Sequence, residues 1–360
     1  MKNKWLFSTK RMQKALRGSK RIDRVPYFPL VCEEMLTLVS GKTLKELLNS
    51  PKTYANAAIE SHEFLQADNV FIPTAYAGPA EAYAFAEVND KLDKIKWYDY
   101  RIFMVQQGAV CESEEDIDKL EVPEHSKSDF WQKLIEAAKL VGDKTGSPQM
   151  CALGIWSVVQ ELRGINAYRD MRRNPDQLMN LCEKIYQSQM DLYHEWIDKV
   201  GPSPYIFFTA YAFNSHMMSF EDAMKYEGQF IKRMQKEMGV PFIIHNCGTA
   251  PYHEEICREL DVAAINTSHP LDIEFWIEFK KNHPKVTIMG ATIDVSRELL
   301  TGSRDQIEQK IKENIENLAP GGGYICAPVC CLPWGISMNN VMLMPELINK
   351  YGTYPINISK

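Results

Sequence analysis

The sequence has no excess of basic charge, no long apolar run and no low-complexity tract. Its 41 lysines and arginines against 47 aspartates and glutamates give a formal net charge of -6, which argues against a nucleic-acid surface. No run approaches the roughly 18 apolar residues that a membrane-spanning helix needs. The basic stretch over residues 2–21 reads as an amphipathic helix and lacks the continuous apolar core of a signal peptide. We therefore expect a cytoplasmic protein without a nucleic-acid or membrane partner.

A disulfide framework is also missing from the sequence. The nine cysteines are an odd number and are scattered from residue 32 to residue 331. In a chain without a secretion signal, such a distribution argues for reduced thiols. Most of them are expected to be small core residues, so only a cysteine with a specific neighbour needs a chemical explanation.

The chain of 360 residues has the length and the alternation of an α/β fold, the (β/α)8 TIM barrel. Short apolar or β-branched runs alternate with longer segments of helical periodicity, most clearly in the second half. The eight predicted strands cover residues 25–31, 69–74, 150–156, 205–212, 241–247, 262–268, 286–292 and 324–331. We expect a single barrel domain over 1–360, with an N-terminal helical extension at 1–24 and a hairpin-like insertion at about 76–148 packed on the barrel.

Function in such a barrel belongs at the carboxyl ends of the strands. His245 and Cys247 end the fifth predicted strand two residues apart, so their side chains share a face. Cys330 and Cys331 end the eighth strand and can face the same mouth. Two thiolates and one imidazole suit tetrahedral zinc, and three protein ligands leave the open position of a catalytic site. The alternative is a buried thiol beside a core imidazole, and spacing does not decide between Cys330 and Cys331.

Other residues near the predicted mouth are candidates for substrate contact or proton transfer. The aromatic and methionine residues indicate an apolar lining without a clear arginine clamp, although many such residues pack between barrel and helices. The candidates for this lining are Tyr76, Trp156, Phe208, Tyr211, Met217 and Trp334. Glu81 and His216 are the candidate acids, and for Glu81 a helix-start glutamate favoured by the helix dipole is the competing interpretation.

Several of these segments resemble the uroporphyrinogen decarboxylase superfamily. They are "STKRMQKALRGSKRIDRVPYFPL", "HNCG", "GATIDV" and "APGGGYICAPVCCLPWG". The H-x-C motif with a distant cysteine is similar to the zinc signature of its methyltransferase branch, the methylcobamide:coenzyme M methyltransferases and related corrinoid-dependent enzymes. Aligned on "GGGYICAP", this resemblance implies that His245, Cys247 and Cys330 bind the zinc. The branch often has a glutamate at the end of strand six, where this chain has Ser268 followed by His269, so the fourth ligand is His269, water or substrate.

The resemblance implies a zinc-dependent methyltransferase, with O-demethylation among the reactions of its class. The methyl group would move between a small methylated substrate, for which the lining favours a methoxylated aromatic, or a thiol, and the cobalamin (methylcobalamin or cob(I)alamin) of a partner corrinoid-binding protein. The chain itself lacks a D-x-H-x-x-G cobalamin motif. A uroporphyrinogen decarboxylase-like activity is disfavoured, because "VCEEMLTLVSG" stands where the decarboxylases have an arginine-rich "RQAGRY" segment. The remaining alternative is a non-catalytic binding barrel that zinc stabilises.

Overall fold

The computed structural model describes residues 2–70, 80–100, 102–103, 109–146 and 149–357. Within these ranges the strands are β1 (Lys96–Trp97), β2 (Ile102–Phe103), β3 (Met150–Leu153), β4 (Ile206–Thr209), β5 (Phe242–Asn246), β6 (Val262–Thr267), β7 (Thr287–Met289) and β8 (Tyr324–Ile325). The helices are α1 (Lys2–Leu16), α2 (Glu33–Ser40), α3 (Leu44–Leu48), α4 (Pro51–Phe64), α5 (Ala80–Val88), α6 (Glu114–Lys119), α7 (Asp129–Thr145), α8 (Ile155–Arg163), α9 (Asn166–Arg173), α10 (Pro175–Lys199), α11 (Phe220–Ala223), α12 (Gln229–Met238), α13 (His253–Glu259), α14 (Ile273–Asn282), α15 (Glu298–Thr301), α16 (Arg304–Leu318) and α17 (Met338–Tyr351). A π-helical turn, Met224–Gly228, joins α11 to α12.

Strands β3 to β8 form a parallel sheet in sequence order, with helices between successive strands. Every residue of β3, β4 and β5 is buried, as expected for parallel strands covered on both faces. The short strands β1 and β2 pair antiparallel with each other as a separate hairpin. The C-terminal ends of β3 to β8 therefore lie along one rim of the sheet.

The predicted first strand, residues 25–31, continues the ring beyond β8 without forming a regular strand. Tyr27 makes a parallel bridge to Cys326, and the Phe28 N–H donates to the Cys326 carbonyl at 2.9 Å. The segment contains Pro26 and Pro29, which have no N–H to donate, so the ladder is interrupted. On the other side, the Asp68 N–H donates to the Tyr27 carbonyl at 2.9 Å, which brings the start of the second predicted strand alongside.

Helix α1 packs at the amino-terminal end of the strands. The Thr287 hydroxyl, at the start of β7, donates to the Ala15 carbonyl at 2.9 Å. Gly322, just before β8, lies so close to Gly18 that an added Cβ would stand 2.4 Å from the Gly18 carbonyl oxygen. The opposite rim, at the carboxyl ends, is thus the end that α1 leaves open. Among the helices that the structure describes, none combines the length and the apolar character needed to cross a membrane.

Candidate metal centre

His245, Cys247 and Cys330 come together at the carboxyl end of the barrel. His245 is the fourth residue of β5 and is fully buried, Cys247 follows the strand directly, and Cys330 lies in the loop after β8. The His245 Nε2 atom lies 2.6 Å from the Cys247 Sγ and 4.0 Å from the Cys330 Sγ, and the two sulfurs are 3.3 Å apart. Within the described ranges, this is the one group of three potential metal ligands whose donor atoms are mutually close.

The donor set of this group fits a tetrahedral zinc ion. Zn–S bonds of about 2.3 Å and Zn–N bonds of about 2.0 Å place tetrahedral ligand atoms about 3.5 to 3.8 Å apart. The three observed separations, 2.6, 3.3 and 4.0 Å, lie on both sides of that range. Side-chain shifts of about 1 Å would therefore bring all three atoms to bonding positions. Three ligands leave a fourth position for substrate, which suits a catalytic site.

The imidazole of His245 is held by Asn266 of the neighbouring strand β6. Its Nδ1 lies 2.6 Å from the Asn266 Oδ1, so Nε2 is the nitrogen that faces the two thiols. The Asn266 Nδ2 donates to the carbonyls of Met289, at 2.8 Å, and Pro328, at 3.2 Å. Asn266 itself is fully buried, so this arrangement is isolated from water.

The adjacent cysteines Cys330 and Cys331 have opposite electrostatic environments. Hydrogen bonds from Cys247 and then Cys331 hold the pKa of the Cys330 thiol well below its usual value, against the effect of burial and with a further contribution from His245. Burial raises the pKa of Cys331, and its hydrogen bonds with Cys32 and Cys330 raise it further. Because a metal binds the thiolate form, these environments favour Cys330 as the ligand.

The sequence and the fold both match known proteins. The sequence model of the family described as Uroporphyrinogen decarboxylase (URO-D) matches residues 7–351. The chain belongs to the uroporphyrinogen decarboxylase family. The fold is similar to that of a methyltransferase from Methanosarcina mazei, with a TM-score of 0.75 and 16% sequence identity over 96% of this chain and 98% of that chain. No curated protein gives a significant match. The predicted (β/α)8 fold is thus confirmed for this family member.

The structure does not bring His269 into the donor group, which is formed by His245, Cys247 and Cys330. The ring nitrogens of His269 are not among the mutually close donor atoms that the described residues contain. Its backbone carbonyl instead accepts hydrogen bonds from the His253 Nε2 and the Thr267 hydroxyl, both at 2.8 Å. Ser268 contacts the neighbours of two predicted ligands. Its N–H donates to the carbonyl of Asn246, next to Cys247, and its hydroxyl donates to the carbonyl of Val329, next to Cys330.

Tyr211, His216 and Met217 lie in the loop between β4 and α11, which is joined to the turn after Cys247. The Ser215 N–H donates to the Ala250 carbonyl at 2.9 Å, and the His216 Nδ1 lies 2.9 Å from the Thr249 hydroxyl. Tyr211 and Met217 are half-buried and His216 is exposed. These three predicted residues therefore lie at the rim, in a loop that contacts the turn after Cys247.

Trp334 is 49% exposed in the loop after β8. Its ring stacks on Tyr100, with centroids 5.3 Å apart. Tyr76 was also predicted to line the mouth, and it lies outside the described residues. The exposed face of Trp334 is thus the part of the predicted lining that the β8 loop supplies.

Trp156 and Phe208 occupy the core and not the mouth, which corrects the prediction for both. Strand β3 ends at Leu153, so Trp156 falls in the first turn of α8, where it is fully buried against Tyr168. In β4 the ring of Phe207 faces His245, with centroids 5.5 Å apart. Since successive side chains of a strand alternate, Phe208 points to the opposite face, away from the donor group.

Glu81 lies in the first turn of α5 and is paired with a histidine. It is almost fully buried, and its Oε2 lies 3.9 Å from the His125 Nε2. Burial lowers the pKa of His125, but the carboxylates of Glu81 and Asp191 outweigh burial, so the pKa is raised overall. Glu81 is not a member of the donor group formed by described residues, and its contact with His125 lies inside the fold.

Two buried asparagines at the site were not among the predicted residues. Asn266 orients His245, and the Asn246 Nδ2 donates to the Ala210 and Phe213 carbonyls while its Oδ1 accepts from the Gly248 N–H. Both stand inside apolar runs, "FIIHN" and "VAAINT". A buried amide must satisfy both its donor and its acceptor, so an asparagine in such a run is the signal that could have identified them.

Proposed function

We propose that this protein is a zinc-dependent methyltransferase that works with the cobalamin of a partner corrinoid-binding protein. The observation that carries the proposal is the group formed by His245, Cys247 and Cys330 at the open end of the barrel. One imidazole and two thiols match the ligand preference of zinc and leave a position for substrate. The shared fold with a methyltransferase from Methanosarcina mazei agrees with this reading.

The residues of this chain would divide the work between metal binding and substrate placement. A bound zinc ion would supply a Lewis acid that holds a thiolate or improves the leaving group of a methylated substrate. Cys247 and Cys330 would provide the thiolates and His245 the neutral Nε2. Tyr211 and Met217, half-buried at the rim, would contact the apolar part of the substrate.

The charges around the mouth support a substrate without several negative groups. Five segments at the carboxyl ends of predicted strands contain no lysine or arginine. They belong to the first, fourth, fifth, sixth and eighth strands and cover residues 31–41, 209–218, 245–252, 266–272 and 326–335, respectively. The first of these segments instead carries Glu33 and Glu34. A porphyrinogen with many carboxylates, or a sulfonated thiol, would lack cationic partners there. A neutral methyl donor such as a methoxylated aromatic compound suits this environment better, and a decarboxylase activity is disfavoured.

The proposal is tested by metal content together with a corrinoid spectrum. Purified wild-type protein should contain stoichiometric zinc, Cys330→Ala should lose it, and Cys331→Ala, as the matched control, should keep it. Wild-type protein mixed with free cob(I)alamin and a panel of methoxylated aromatics, methylated thiols and methylamines should give the visible spectrum of methylcobalamin with at least one donor.

The outcomes separate the competing functions. A wild-type protein without stoichiometric zinc would refute the proposal outright. Zinc without methyl transfer, either to free cob(I)alamin or to a corrinoid-binding protein encoded nearby, would favour the non-catalytic barrel. Zinc lost from Cys331→Ala and kept by Cys330→Ala would reverse the assignment of the third ligand.

A further inference from the structure

Asn266 connects the two separate segments of the chain that carry the metal ligands. It stands on β6 directly opposite His245 of β5, its register partner. Its Oδ1 lies 2.6 Å from the His245 Nδ1, and its Nδ2 donates to the carbonyl of Pro328, two residues before Cys330. One side chain therefore touches both the β5 segment and the β8 loop.

The orientation of the Asn266 amide follows from its neighbours. Two backbone carbonyls, those of Met289 and Pro328, face one end of the amide, and carbonyls can only accept hydrogen bonds. That end must therefore be the NH2 group, and the oxygen must face His245. An acceptor oxygen at 2.6 Å requires a proton on His245 Nδ1, and in the neutral imidazole the Nε2 lone pair is then directed at the thiols.

The backbone around Asn266 leaves little room for another arrangement. Gly290 has a φ of +98°, and a Cβ placed there would stand 3.1 Å from the Asn266 Nδ2 and 3.4 Å from the Pro328 carbonyl oxygen. Asn266 has no exposed surface, so bulk water does not compete for any of its three hydrogen bonds. The amide is thus a fixed part of the site.

We propose that Asn266 is a positioning residue that sets the tautomer of His245 and fixes the spacing between His245 and the Cys330 loop, so that the three donor atoms face one another. The proposal rests on the proposed function, because it takes the donor group to be a zinc site. The physical reason is that an unanchored imidazole would spend part of its time with the proton on Nε2, the nitrogen that must bind the metal.

The test compares three variants with the wild type. Asn266→Ala removes both the oxygen and the NH2 group, while Asn266→Asp keeps an oxygen toward His245 and loses the two donated hydrogen bonds. Asn314→Ala is the matched control, because Asn314 is also a fully buried amide, accepting from the Thr292 hydroxyl and donating to the Gly290 carbonyl without contact to His245. For each protein, zinc affinity is measured by chelator competition and Tm by thermal unfolding.

Asn266→Ala is expected to bind zinc about 10-fold to 100-fold more weakly than the wild type, the usual effect of losing such a partner. Asn266→Asp should lower Tm but keep a zinc affinity closer to the wild type than to the alanine variant. Asn314→Ala should lower Tm and leave zinc affinity unchanged. Affinity that follows Tm across all three variants would show a merely structural role and would overturn the proposal.

A second readout does not depend on zinc. In the metal-free protein, nitrogen-15 NMR of the histidine rings should show His245 protonated at Nδ1, with the signal assigned by its loss in His245→Gln. In Asn266→Ala the proton should move in part to Nε2, and an unchanged tautomer would refute the positioning role. If the wild type binds no zinc, the proposed function fails while this measurement still decides the role of Asn266.

Discussion

Glu227 is a carboxylic acid that the fold keeps away from water. It lies in the π-helical turn between α11 and α12 and has no exposed surface. Its Oε2 accepts from the Ala212 N–H at 3.0 Å, and its Oε1 lies against Gly154, where an added Cβ would stand 1.6 Å away. Burial raises the pKa of Glu227 to about 8, with the Ala212 hydrogen bond acting in the opposite direction. The side chain is therefore mostly neutral near pH 7.

The raised pKa of Glu227 predicts that the contribution of this residue to stability falls as pH rises through the neutral range. The ordinary pKa of a glutamate is 4.5, and the pKa of Glu227 in the folded protein is about 8. At pH values between these two, the unfolded chain releases a proton that the folded chain retains. From pH 6 to pH 8 the free energy of unfolding should therefore fall by about 2 kcal/mol on account of this residue. Glu227→Gln should remove that fall in urea unfolding measured at both pH values.

The matched control for this experiment is the exposed Glu221 on the preceding helix. Glu221→Gln should keep the wild-type dependence on pH, because an exposed carboxylate has nearly the same surroundings in the folded and unfolded states. A Glu227→Gln variant whose stability changes from pH 6 to pH 8 with the same slope as the wild type would contradict the buried neutral acid.

At the scale of elements, the sequence predicted the order of strands and helices better than it predicted their ends. The fifth strand was expected at 241–247 and is found at Phe242–Asn246, so His245 and Cys247 keep their expected places. The third was expected at 150–156 but ends at Leu153, because Gly154 starts a helix there and carries Trp156 into the core. Apolar runs indicate buried segments but do not indicate where a strand ends and a helix begins. For this reason Trp156 was wrongly predicted to line the mouth.

The two loops that frame Cys247 depend on a close contact between Gly248 and Asn214. Asn214 is almost fully buried and forms an antiparallel bridge to Pro251, so the loop after β4 lies directly on the turn after β5. A Cβ on Gly248 would stand 1.3 Å from the Asn214 Nδ2 and 2.9 Å from the Asn246 Oδ1. Only a residue without a side chain fits immediately after Cys247.

Gly248→Ala is therefore expected to destabilise the fold by about 1 to 3 kcal/mol, the usual range for an added methyl group in a packed site. It should also weaken zinc binding, since the turn that carries Cys247 must move. Urea unfolding and chelator competition measure the two effects. The double variant Gly248→Ala with Asn214→Ala should recover part of both losses, and strictly additive losses would show that the two residues do not compete for space.

At the scale of the whole molecule, the two ends of the barrel carry different groups of residues. The donor group lies at the carboxyl ends of the strands, whereas α1 and a buried ion-pair cluster lie at the amino-terminal end. Arg11 of α1 pairs with Asp68, which also accepts from the Arg24 Nη2 at 3.1 Å and from the Tyr27 N–H at 2.8 Å. In barrels of this kind, residues at the amino-terminal end serve stability and those at the carboxyl end serve function.

Some residues of the site could be predicted from the sequence and others could not. The H-x-C pair of residues 245–247 and the resemblance of the eighth-strand motif predicted three ligands that the closed ring does bring together. Asn266 was not predicted, because its role depends on the register of β6 against β5 and on the approach of the Pro328 carbonyl. Such contacts between strands are set by the closure of the ring, and periodicity along one segment does not contain them.

The separation of the two ends also predicts that stability and metal binding can be changed independently. Arg11→Ala leaves the buried Asp68 with one cationic partner fewer, and breaking a buried pair in this way should lower the free energy of unfolding by about 3 kcal/mol. Lys10→Ala, at an exposed position of the same helix, should change it by less than about 0.5 kcal/mol. Zinc affinity, measured under conditions in which both variants are folded, should equal that of the wild type. A folded Arg11→Ala variant with weakened zinc binding would contradict this prediction. It would mean that α1 supports the donor group through the length of the barrel, so that the two ends could not be divided into a stabilising end and a functional end.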